Sequence, residues 1–169
     1  ALSGHRLFAR LSILPTKLGD VCTHIFQGIV TSADPIYILE ARREVGNNVV
    51  VYSKYLDQVL VLETAFLRPF IKGVTIERYV QPQPAHYLLF PYNANGLISW
   101  SEIETLAPKT ASFLTQCKKP LAGRENGKMA HERWYAYVYP KNLFLFAGRK
   151  LIVQFISKNG RYTIDDLGI

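Results

Sequence analysis

Cysteine is scarce in this chain, which has only Cys22 and Cys117 among its 169 residues. Two thiols cannot form a disulfide framework or a cysteine-based zinc site, and they suit a reducing cytoplasm best. No apolar run reaches the roughly 18 residues of a membrane span, so no membrane partner is expected. Residues 1–10 do not resemble a signal peptide, and the missing initiator Met is typical of a fragment or a processed chain. These features predict a cytoplasmic protein.

Common catalytic and cofactor motifs are also absent from the sequence. There is no G-x-G, which removes the dinucleotide fingerprint, and no G-K-[ST] phosphate loop. A G-x-S-x-G nucleophile elbow is missing, and the four histidines do not have the spacing of metal ligands. We therefore expect no catalytic, cofactor-binding or metal-binding residues in this chain, and no enzyme activity of its own.

Acidic residues are rare in one quarter of the chain. Residues 118–161 carry ten basic side chains but only two acidic ones, whereas residues 1–117 are nearly balanced. This segment supplies almost all of the net charge of +7. Four aromatic residues are interleaved with its cations: Trp134, Tyr135, Tyr137 and Tyr139. The combination is typical of nucleic-acid binding, although a solvated surface beside a β-type core has the same composition.

Short apolar runs separated by turn residues predict that strands predominate. The expected strands are Asp20–Phe26, Ile36–Glu40, Val49–Tyr52, Val59–Leu62, Tyr87–Phe90 and Leu151–Ile156. Between two of these runs, Gly46-Asn47-Asn48 is typical of a hairpin turn. No repeat or linker divides the chain. The pattern predicts an α+β fold in one domain over residues 1–169.

Helical signals concentrate around residues 101–122. Ser99 or Ser101 can cap a short first helix, and Pro108 suits the first turn of a second one. Pro120 is expected to end or kink this second helix. The chain then continues into a polar loop at residues 123–128, which is bounded by glycines and rich in charge.

A second glycine lies between cations. Lys72 and Arg78 flank Gly73 within an otherwise apolar stretch. A positive φ or a close backbone approach at Gly73 would let an amide and two cations bind a phosphate. An ordinary bulge with exposed cations is the alternative at this point of the chain.

Four stretches, taken in order, resemble one protein family. They are residues 17–34 around Gly28, residues 67–79 around Gly73, residues 108–124, and Trp134-Tyr135 followed by residues 149–153. They are similar to the target recognition domain of adenine-specific DNA methyltransferases, the TaqI-like C-terminal specificity domain of restriction–modification enzymes. The resemblance covers about residues 17–157.

The resemblance implies a module that recognises duplex DNA while a separate catalytic domain methylates adenine at N6. The chain has no Pro-Pro, so it lacks the N/D-P-P-Y/F loop that holds the flipped base. The parent polypeptide would therefore supply the catalytic domain and bind S-adenosylmethionine there, with or without a fused endonuclease. The implied partners are double-stranded DNA and that catalytic domain, in a prokaryotic cytoplasm.

The candidate DNA contacts come from the basic loops and the matching stretches. Arg124 is expected to read a guanine with two hydrogen bonds, since its loop can enter a groove. Lys72 is expected to bind a phosphate, and Lys158 is expected to be only solvated. The full set of candidates is Lys72, Arg78, Arg124, Asn126, Lys128, Arg133, Arg149 and Lys150.

Two other functions fit the sequence. A module for single-stranded DNA or RNA would use Trp134, Tyr135 and Tyr137 as stacking platforms. A protein-interaction domain would carry the basic surface for solubility alone. Neither the DNA sequence recognised nor the oligomeric state follows from the residues.

Overall fold

Five strands form one antiparallel sheet in the computed structural model, which describes residues 4–156 and 158–169. The strands of this sheet are β1 (Ile38–Val45), β2 (Asn48–Ser53), β3 (Gln58–Glu63), β4 (Leu67–Phe70) and β5 (His86–Leu89). Their order across the sheet is β3-β2-β1-β5-β4, so β3 and β4 form its two edges.

Shorter elements surround this sheet. Two further hairpins pair β6 (Tyr92–Asn93) with β7 (Gly96–Leu97) and β8 (Lys150–Val153) with β9 (Tyr162–Asp165). The α-helices are α1 (Gly4–Ser12), α2 (Leu18–Val21), α3 (Asp34–Tyr37), α4 (Trp100–Leu106), α5 (Pro108–Gln116), α6 (Lys118–Ala122) and α7 (Arg124–Gly127). Short 3₁₀ turns are formed by Thr64–Phe66 and Gly73–Thr75. This mixture is the predicted α+β fold. None of the helices in the described ranges is long and apolar enough to cross a membrane.

The hairpin of β1 and β2 shows how local sequence forms the sheet. Gly46 has a φ of +56°, a conformation that glycine adopts without steric strain. The two-residue turn 46–47 therefore reverses the chain where the sequence predicted a hairpin. In β2, Val49 and Val51 are fully buried and alternate with half-buried residues, so one face of the strand packs on the core.

The helical region forms as predicted. The Ser99 hydroxyl caps α4 by accepting a hydrogen bond from the Glu102 N–H at 3.3 Å, and Pro108 opens α5. The second helix, α5, ends at Gln116, and Pro120 lies in the first turn of α6. Because proline has no N–H to donate to the carbonyl four residues earlier, here that of Gln116, the break between α5 and α6 agrees with the end or kink expected from Pro120.

Three predicted strands differ from the structure. The run Asp20–Phe26 contains the end of α2 and then irregular chain, because no described strand pairs with it. The run Ile36–Glu40 begins in α3 before it enters β1. Only the first half of Leu151–Ile156 is a strand, and the two-stranded hairpin that it joins leaves Phe155 93% exposed.

The edge strand β3 is connected to α5 by a carboxylate. Glu63, its last residue, accepts hydrogen bonds from the N–H groups of Lys109 and Thr110 at 3.0 and 2.9 Å, and from the Thr110 hydroxyl at 2.8 Å. The residue before α5, Ala107, has no side chain that can cap the helix. Burial alone would raise the pKa of Glu63, but these hydrogen bonds outweigh it and lower the pKa. Glu63 therefore caps α5 from outside the helix.

We expect Glu63→Ala to lower the free energy of unfolding by about 1–2 kcal/mol, as the loss of a helix cap does. Glu104→Ala, at an exposed position of α4, is the matched control and should leave stability unchanged. Because the folded pKa of Glu63 is lowered, its contribution is present above the ordinary carboxyl pKa and is lost as the pH falls. Urea unfolding at neutral and acidic pH measures both effects, and equal losses for the two variants would contradict the capping role.

Candidate nucleic-acid interface

Arg124 lies at the centre of the basic region and is held by backbone carbonyls. It starts the tight turn α7, in which Glu125 and Asn126 have left-handed φ angles of 52° and 58°. Its guanidinium donates four hydrogen bonds and stands 5.7 Å from the centre of the Tyr37 ring. The acceptors are the carbonyl oxygens of Leu121 at 2.8 Å, Thr31 at 3.2 Å, Trp134 at 2.7 Å and Ala136 at 2.8 Å.

These bonds change the role expected of Arg124. A guanidinium has five N–H donors, and four of them are occupied here. Reading a guanine with two hydrogen bonds needs two available donors. We therefore reassign Arg124 from base reading to structural support.

Arg124 brings three loops together. Three of its four acceptors lie in residues 26–34 and 133–142, while Arg124 itself belongs to residues 123–128. The first two loops also meet at a β-bridge between Val30 and Tyr139. We call the surface formed by residues 26–34, 123–128 and 133–142 the three-loop face.

The three-loop face carries four of the eight candidates. Besides Arg124, it includes Asn126, Lys128 and Arg133, and all three of these side chains are exposed. Arg124 joins the two loops that carry them by donating to the carbonyl oxygens of Trp134 and Ala136. That Asn126, Lys128 and Arg133 bind DNA stays a prediction.

A pocket opens on the three-loop face that the sequence did not indicate. It has a volume of about 230 Å³ and is lined by Gln27, Gly28, Val30, Tyr139, Lys141 and Asn142. Lys141 is an exposed cation, and the Asn142 amide donates to the Gln27 carbonyl oxygen at 3.5 Å. Lys141 belongs to the basic segment, but no motif distinguished it from the other cations there.

Three candidates lie instead at the terminal hairpin of β8 and β9, where other groups bind them. Arg78 donates to the carbonyl oxygens of Gly160 and Asn159 at 2.9 and 2.8 Å. Arg149 pairs with Asp166 at 2.7 Å on the surface. Lys150 is nearly buried, and it pairs with the fully buried Asp165 and donates to the Phe146 carbonyl at 2.7 Å. These contacts support the hairpin, and DNA binding by Arg78, Arg149 and Lys150 stays a prediction.

Lys72, the remaining candidate, precedes Gly73, which opens a 3₁₀ turn without a positive φ. Nothing lies within 4 Å of the position that a Cβ of residue 73 would take, so the space beside this glycine is open. That Lys72 binds a phosphate stays a prediction. Lys72 is half-buried near His86, whose pKa is lowered by burial and then by this cation.

Three aromatic residues of the basic segment belong to the core. Trp134, Tyr135 and Tyr137 are 6%, 3% and 2% exposed. The Tyr137 hydroxyl donates to the Leu89 carbonyl at 2.6 Å, and the Tyr135 hydroxyl donates to another backbone carbonyl. Trp134 and Tyr135 lie in turns. They cannot be stacking platforms for single strands, because a base cannot reach their faces.

Two titratable groups outside the basic surface are held in their protonated forms by burial. Burial raises the pKa of Cys117 to about 12 and that of Tyr92 to about 12, so both stay protonated at neutral pH. Within the described ranges, no three His, Cys, Asp or Glu side chains are placed to hold a metal ion.

Comparison with known proteins adds no relative. No protein-family model matches this chain, and no curated protein matches it. The resemblance to TaqI-like specificity domains stays a prediction, and a functional proposal depends on the geometry of the three-loop face.

Proposed function

We propose that this chain recognises duplex DNA through the three-loop face, as the specificity module of an N6-adenine methyltransferase or a restriction–modification protein. The observation that carries the proposal is that Asn126, Lys128, Arg133 and Lys141 are exposed on loops of the three-loop face. Arg124 connects the loops that bear them to one another. Loops supported by a rigid scaffold commonly carry binding residues.

Each type of exposed side chain has a role in this proposal. Lysine and arginine neutralise phosphates and fix the position of the protein on the duplex. Asn126 can read adenine, because an amide forms two hydrogen bonds with its major-groove edge. The catalytic domain of the parent polypeptide, in a prokaryotic cytoplasm, would bind S-adenosylmethionine and transfer the methyl group.

The two rival functions predict different behaviour. Burial of Trp134, Tyr135 and Tyr137 removes the basis for a single-strand module, although Tyr139 remains 46% exposed. A protein-interaction domain with a merely solubilising surface predicts no nucleic-acid binding even at low salt. Binding measured in parallel with duplex DNA, single-stranded DNA and RNA distinguishes the three functions.

We expect duplex binding to weaken steeply with salt, with a log–log slope of about −4 for about four to five phosphate contacts. Lys128→Ala should reduce the magnitude of this slope by about 1, whereas Lys158→Ala, on an exposed residue beyond the three-loop face, should leave it unchanged. Fluorescence anisotropy with a labelled duplex at several salt concentrations measures the slopes. Equal effects of the two variants would indicate a diffuse positive surface.

A further inference from the structure

Gly28 is a glycine that the fold itself does not require. Its φ is not positive, and a Cβ at this position would meet no atom within 4 Å among the described residues. Gly168 differs, since a Cβ there would lie 2.6 Å from the Ala147 carbonyl oxygen. Where the fold does not require a glycine, the missing side chain can still allow another molecule to approach the backbone closely. Gly28 also lines the pocket of the three-loop face, where such an approach is possible.

The groups around Gly28 suit an anion. The Gly28 N–H donates no hydrogen bond to any residue in the described ranges, so it is available to a ligand. Lys141 forms no ion pair with those residues, and its side chain is exposed at the same pocket. Tyr139 adds a half-exposed phenol, which can donate a third hydrogen bond. Each of the three groups can donate to an oxygen.

We propose that this pocket binds a backbone phosphate of duplex DNA, with Gly28 and Lys141 as its principal contacts. This inference rests on the proposed function. Backbone N–H groups and lysines are common partners of DNA phosphates. A volume of about 230 Å³ has room for a phosphate and part of its sugar. The pocket is lined by residues of two of the three loops that Arg124 joins, and Lys128 and Arg133 are exposed on loops of the same group.

A duplex suits the site better than a free phosphate ion. The pocket offers one cation, and its mouth is open to solvent, so the attraction for a small anion is screened by salt. A duplex adds the contacts of the neighbouring cations to the same binding event. The proposal therefore predicts weak binding of inorganic phosphate and an effect of the pocket on duplex affinity.

The test compares Gly28→Ala and Lys141→Gln with the controls Gly160→Ala and Lys158→Gln. Gly160 shares the ordinary φ and the open surroundings of Gly28, but it does not line this pocket. For a short duplex of random sequence, Gly28→Ala should raise Kd about tenfold by blocking the phosphate, with an unchanged unfolding midpoint. Lys141→Gln should reduce the salt slope by about 1. Both controls should bind like the unaltered chain.

The outcomes separate this inference from the proposed function. If the unaltered chain does not bind the duplex, the proposed function fails. If it binds and both pocket variants bind equally well, only the phosphate site is overturned. A lowered unfolding midpoint of Gly28→Ala would assign the glycine to the fold and also overturn the site. Inorganic phosphate that competes with the duplex no better than chloride at equal ionic strength would support a duplex site, and strong competition would contradict it.

Discussion

Replacement of Arg124 by alanine is expected to lower the free energy of unfolding by about 3 kcal/mol, rather than to remove one base contact. The variant leaves four carbonyl oxygens without their donor, and a buried polar group that loses its partner costs about 1–3 kcal/mol. Some of these carbonyl oxygens can bind water instead, so the total loss of stability is smaller than the sum of four separate costs. The variant also loses the cation over the Tyr37 ring.

Arg124→Lys is the informative second variant. Lysine keeps the charge, but its single ammonium cannot reach carbonyls in three separate segments as a planar guanidinium does. We expect it to recover less than half of the lost stability. Arg133→Ala, on an exposed arginine of the same face, should unfold at the same denaturant concentration as the unaltered chain.

Denaturant unfolding and DNA binding together distinguish structural support from base reading. We expect Arg124→Ala to weaken binding to every sequence of a randomised duplex pool, in proportion to the fraction unfolded. An unchanged unfolding midpoint with relaxed preference at one base position would instead restore the base-reading role that the sequence suggested.

The sequence predicted those parts of the fold that depend on neighbouring residues. The turn at Gly46, the cap at Ser99 and the start of α5 at Pro108 each follow from local backbone chemistry. Local backbone chemistry could not show whether the run Asp20–Phe26 forms a strand. An apolar run becomes a strand only where another strand pairs with it, and pairing is decided by distant parts of the chain.

The candidate site was predicted only in outline for the same reason. Charge density located the basic segment, and the glycine-bounded loop located Asn126 and Lys128. Neither signal could distinguish an arginine that faces solvent from one, such as Arg124, that donates to the Thr31 carbonyl 93 residues away in sequence. The pocket was missed because Gly28 and Lys141 are far apart in sequence and line one pocket only after the chain has folded.

The second large effect is expected from Lys150→Met, which should destabilise the terminal hairpin of β8 and β9 by about 3 kcal/mol. Asp165 is fully buried, and besides Lys150 it accepts hydrogen bonds from the N–H groups of Leu167, Gly168 and Ile169. Without the ammonium, the carboxylate is buried with no positive charge beside it. Methionine retains most of the apolar stem, so the variant isolates the loss of charge.

The effect should be local to the hairpin. Contacts to residues 78–80 attach it to the remainder of the chain, through Arg78 and through the Thr163 hydroxyl, which donates to the Val80 carbonyl at 2.6 Å. Hydrogen exchange should therefore accelerate for the amides of β8 and β9 while β1 and β2 keep their protection. Uniform acceleration across the sheet would contradict a local role.

The pH dependence of the hairpin provides the sharpest check of the buried pair. Burial alone would raise the pKa of Asp165, but the hydrogen bonds from Lys150, Leu167 and Ile169 outweigh it and lower the pKa. A lowered folded pKa contributes stability above the ordinary carboxyl pKa, and this stability is lost as the pH falls through the folded value. In Lys150→Met fewer hydrogen bonds oppose the effect of burial, so the pKa of Asp165 rises and acid opening of the hairpin begins at a higher pH.

Arg149→Met is the control, because it removes only an exposed partner of Asp166. It should cost less than about 1 kcal/mol of stability and should not move this acid transition. If Lys150→Met weakens DNA binding while hairpin exchange and its acid transition stay unchanged, Lys150 contacts DNA directly and the buried pair is not its main role.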